Sequence, residues 1–62
     1  MTIVRDILIV EDEAAVTRAV EMVCGDQGMS VKSVGSARAA LDCLRTTEFR
    51  LVVCDIMMQG LD

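Results

Sequence analysis

The chain contains no histidine, tryptophan or tyrosine, and Phe49 is its only aromatic residue. A core built from it must therefore be aliphatic and sulfur-rich. Without histidine, and with Cys24, Cys43 and Cys54 lacking paired spacing, no structural zinc site is expected. The odd, scattered cysteines read as buried, reduced thiols of a cytosolic protein. The basic residues form no cluster and the net charge is −4. That argues against nucleic-acid binding and against an anionic membrane surface. No apolar run approaches the roughly 20 residues of a membrane span. Residues 1–6 bring charges of both signs at once, unlike a signal peptide. Repeats, linkers and low-complexity segments are also missing.

Sixty-two residues allow one domain at most, and a chain this short has a small core. With 53% apolar residues it is nonetheless no disordered composition. Two stretches carry the pattern. Ile7-Leu8-Ile9-Val10 is an apolar run followed at once by Glu11, Asp12 and Glu13. Leu51-Val52-Val53-Cys54 is a second run, ending on Asp55. Continuous apolar runs of this length mark strands buried on both faces of a parallel sheet. The acids then stand at the carboxyl ends of the strands, where open α/β sheets bind their ligands.

The first strand is expected at about 6–11. From there the period changes to helical over about 13–27, with Val16, Ala19, Val20, Val23 and Cys24 on one face and Thr17, Arg18 and Glu21 opposite. Asp12 is a candidate cap for this helix, Glu13 suits its first turn, and Gly28 suits the left-handed residue that ends it. A weaker alternation at about 29–34 suits an edge strand. Ser36 is a candidate N-cap for a second helix, about 36–46, with Ala37, Ala40, Leu41 and Leu44 as its stripe. Arg38–Asp42 and Asp42–Arg45 have the spacing of ion pairs on its wet face. Thr46, Thr47 and Glu48 close it, and Phe49 plugs the bottom of the core. The third strand follows at about 50–55, and residues 56–62 form a loop.

Strand–helix–strand–helix–strand with short connections forces parallel pairing. Right-handed crossovers then give a three-stranded sheet in order 2-1-3 with one helix on each face. Glu11, Asp12 and Asp55 meet at one end of it. Three carboxylates a few ångströms apart cannot all stay ionised unaided. Either one keeps a proton or a divalent cation sits among them. A hard, oxygen-only site with room for water suits Mg2+, and an aspartate beside it can act as a phosphoryl-accepting nucleophile.

These residues resemble the receiver domain of two-component response regulators. The likeness rests on Ile7 to Glu13 and on Leu51 to Asp62, with Gly28, Val31, Ala40-Leu41 and Phe49 between them. It implies a flavodoxin-like fold and a signalling module, not an enzyme. It implies that Asp55 is the phospho-acceptor and that Glu11, Asp12 and Asp55 hold Mg2+ with the backbone carbonyl of Met57. It implies a histidine kinase or phosphotransfer protein as partner, in the cytoplasm. An aspartate-nucleophile phosphatase would have a second aspartate where Met57 stands. Gln59 replaces the proline usual in the loop of the family.

No Ser, Thr or Lys follows Asp55 within these residues. The hydroxyl and lysine that the resemblance places on later strands are therefore not in this sequence. The expectation is an N-terminal half-receiver spanning 1–62. It is a phosphorelay module or, alternatively, a non-phosphorylated interaction module. With either, a homo-oligomer through the open edge of the third strand, or else pairing with the missing half of the receiver, is expected.

Overall fold

The computed structural model describes residues 3–55. The elements run β1 (Ile3–Val10), α1 (Ala14–Asp26), β2 (Val31–Val34), α2 (Ala37–Leu44) and β3 (Thr47–Cys54). The loop expected at 56–62, and Met57 with it, lies outside the described residues. The three strands are parallel in the order β2-β1-β3. The chain is an α/β, flavodoxin-like unit with its first strand in the middle. Stepping from β1 to β2 and then back across to β3 by right-handed crossovers carries α1 and α2 to opposite faces.

The centre of the fold is the apolar half of β1. Ile7, Leu8, Ile9 and Val10 are all buried, Leu8 completely. Alternation sends Leu8 and Val10 to one face and Ile7 and Ile9 to the other. Leu8 and Val10 pack on Ala40 of α2, with Val34, Cys43 and Phe49 around them. Ala40 is the one buried residue of α2, and its small side chain lets the helix approach the sheet. Ser36 caps that helix as expected, its Oγ accepting the Ala39 N–H at 3.1 Å. Gly28 ends α1 at φ 77°, a left-handed conformation that glycine adopts without strain. Its N–H donates to the Gly25 carbonyl and the Met29 N–H to the Cys24 carbonyl, the paired bonds of a Schellman ending.

Several boundaries differ from the periodicity. β1 begins at Ile3, not near residue 6, and β3 at Thr47, not near residue 50, because Ile3, Val4 and Arg5 pair with Thr47, Glu48 and Phe49. Thr47 and Glu48 thus belong to a strand and do not close α2, which stops at Leu44 with Arg45 as its cap. β2 is shorter than expected. Met29 is occupied in the helix ending, and Ser30 in a polar clip across the sheet. In that clip the Asp6 carboxylate accepts from the Ser30 N–H at 2.9 Å and from the Ser30 hydroxyl at 3.3 Å. The Asp6 N–H donates back to Ser30 Oγ at 2.9 Å. Arg50 of β3 approaches the other Asp6 oxygen at 3.4 Å. All three strand segments are tied there by one β1 side chain.

The packing of α1 also departs from its pattern. No residue of α1 is buried. Thr17, expected on the wet side, is half-buried with Val20 and Cys24, whereas Val16, Ala19 and Val23 are exposed. A three-stranded sheet is too narrow to cover the whole apolar stripe of a 13-residue helix. The thiols follow the same logic: Cys24 and Cys43 are half-buried and Cys54, on β3, is exposed, so none is the buried thiol expected. On α2, Asp42 and Arg45 pair at 3.8 Å, while no Arg38–Asp42 ion pair forms among the described residues. On β3, Leu51, Val52 and Val53 are 43–54% exposed. No helix is long and apolar enough to cross a membrane among the described residues.

Candidate functional site

The acids sit where the sheet's hydrogen-bond ladder runs out. Val10 is the last residue of β1, and two further bonds carry the ladder just past it. The Glu11 N–H donates to the Val34 carbonyl of β2 at 3.0 Å, and the Asp55 N–H donates to the Val10 carbonyl at 3.1 Å. The backbone at Glu11 and Asp55 is therefore held by neighbouring strands, although both residues lie one position beyond their own. The adjacent pairing Val10↔Cys54 puts the two chain directions in register and brings their acids to the same level.

The result is a cluster. Glu11, Asp12 and Asp55 each offer a carboxylate oxygen, and these oxygens all lie within 4.8 Å of one another. Glu11 and Asp55 are half-buried and Asp12 is exposed. The topology thus brings together all three acids that the sequence singled out. Asp12 does not cap α1, however. Glu13 holds the N-cap position without a side-chain cap bond, and the first turn carries no acid. Instead the Glu13 N–H donates to Glu11 Oε1 at 3.2 Å. Glu11 reaches forward two residues to do this, which leaves Asp12 in the cluster and places Glu13 just before the helix and not in its first turn.

The electrostatics match the crowding. The Glu11 carboxyl lies above its ordinary value, first because it is partly withdrawn from water, and further because Asp55 is charged nearby and Asp12 and Asp55 share hydrogen bonds with it. The Glu13 N–H opposes that rise. A carboxyl that resists ionisation beside two others is in the state that a cation relieves. Three convergent carboxylates, two of them partly open to water, form a donor set of hard oxygens, the kind that Mg2+ or Ca2+ takes and zinc sites with sulfur and imidazole do not. The residues fit a divalent cation.

A cleft of about 340 Å³ opens beside the cluster. Glu11 and Asp12 form one wall, and Thr17, Arg18 and Glu21 of α1 face Ser33, Val34 and Gly35 across it. The sequence pattern gives no sign of this cleft, because it puts Thr17 and Arg18 on the wet side of α1, whereas the half-burial of Thr17 shows the helix turned toward it.

Comparison with known proteins adds one match. A family model described as "Response regulator receiver domain" matches residues 7–62. A search of curated proteins and a search of solved structures gave no match. The matched span starts at the apolar half of β1 and includes both acid-tipped strands, so the chain belongs to the response regulator receiver domain family.

Proposed function

We propose that this chain is the phospho-accepting module of a two-component phosphorelay and that Asp55 takes the phosphoryl group. The observation that carries the reading is the convergence of Asp55 with Glu11 and Asp12 at the ladder's end. An aspartate nucleophile must be ionised and held still. The bond from the Asp55 N–H to Val10 fixes its backbone. The donor is a phosphohistidine on a histidine kinase or phosphotransfer protein, or a small acyl phosphate. An Asp55 carboxylate oxygen attacks phosphorus, the bond to the donor's nitrogen or oxygen breaks, and the donor leaves with the electron pair. Glu11, Asp12 and Asp55 are the side chains that would hold Mg2+, with the Met57 carbonyl as a further ligand implied by the family. When bound, Mg2+ neutralises the charge gathered on the phosphoryl oxygens. The chain is read as a cytoplasmic signalling module and not as an enzyme.

The test is incubation with acetyl phosphate and Mg2+, read by intact mass. The expected result is one phosphoryl adduct that disappears in Asp55→Asn and on chelation of the metal. No adduct on the wild-type chain overturns the reading, and an adduct that persists in Asp55→Asn overturns the residue.

A second reading is an interaction module that is not phosphorylated. The exposure of Leu51, Val52 and Val53 on the outer strand favours it, because an apolar stretch on an open strand edge is a template for pairing with another strand. Homo-oligomerisation through β3 belongs to this reading. Sedimentation at micromolar concentration separates the cases: a concentration-dependent dimer supports self-association, and a cooperative monomer removes it.

A further inference from the structure

We draw no further inference here: the strongest candidate, the outer edge of β3 with its exposed Leu51, Val52 and Val53, carries nothing beyond the second reading above because nothing in the structure shows what covers it.

Discussion

Replacing Asp6 with alanine should loosen the end of the sheet opposite the acid cluster. The Asp6 carboxylate accepts two bonds from Ser30 and faces Arg50. Hydrogen bonds to a charged group contribute about 1.5–3 kcal/mol net when well shielded. Here the Asp6 side chain is 33% exposed, so the lower part of that range applies. The Arg50 side chain is 76% exposed, and an ion pair that open adds at most about 0.5 kcal/mol. Asp6→Ala is therefore expected to cost about 1–2 kcal/mol, through the loss of both Ser30 bonds to the carboxylate. For a domain of this size that lowers Tm by about 5–15 °C. Urea titration of Asp6→Ala, Ser30→Ala, Arg50→Gln and the Asp6→Ala/Ser30→Ala pair separates the parts. Arg50→Gln should change stability by no more than about 0.5 kcal/mol. The double variant should lose less than the sum of its singles by about 1 kcal/mol, as coupled neighbours do. Additive losses, or an Asp6→Ala variant within about 0.3 kcal/mol of wild type, would refute the clip.

Other perturbations address the core, the helix ending and the site. Leu8 is fully buried beneath Ala40, and Leu8→Ala should cost about 2–5 kcal/mol, enough to unfold a domain whose whole stability is about 3–5 kcal/mol. Loss of cooperative melting in circular dichroism is the expected readout, and a retained sharp transition contradicts the assigned core. Gly28→Ala forces a Cβ into the left-handed region at φ 77° and should cost about 1–2 kcal/mol by chemical denaturation, although no steric clash awaits it. Without divalent cations the Glu11 carboxyl sits above its unfolded value. The folded state then holds a proton that the unfolded chain has already released, so stability falls as pH rises through the window just above the ordinary carboxylate range. Urea midpoints between pH 4 and 7 should show that fall in wild type and not in Glu11→Gln; a fall of equal size in Glu11→Gln assigns it to another group. Saturating Mg2+ should remove the fall if the proposed metal site is right.

The middle of each element was legible in the sequence, as were the Ser36 start of α2 and the Gly28 end of α1, whereas the starts of β1 and β3 were not. Ile7 to Val10 declare a central strand because burial on both faces leaves no room for polar residues. Once the order 2-1-3 follows from chain connectivity, Glu11, Asp12 and Asp55 must converge. Val4 and Arg5, or Thr47 and Glu48, look like the outside of a strand. They are inside because pairing is set by a partner more than forty residues away, which local pattern does not register. Asp12 looked like a cap because aspartate is a good one, but Glu11 already binds the backbone there. The turn of α1 that half-buries Thr17 depends on how much sheet lies beneath it. The Asp6–Ser30 bonds left only one trace, an acid just ahead of an otherwise apolar run.

The position of the acids on the last rungs of the ladder has a kinetic consequence. Val10 meets Cys54 across most of the chain, so the site is closed by one of the most distant contacts that the fold contains. Contacts of that sequence separation form slowly, because a long loop must be ordered before they are made. α1 with its Schellman ending, and α2 with its Ser36 cap, are local and can form early. The cluster cannot exist before the carboxyl end of β3 has paired with that of β1. A cation that needs Asp55 together with Glu11 and Asp12 would therefore bind only after sheet closure. Its uptake, followed in a refolding experiment, would time the pairing of β3 with β1 and not the formation of the local helices.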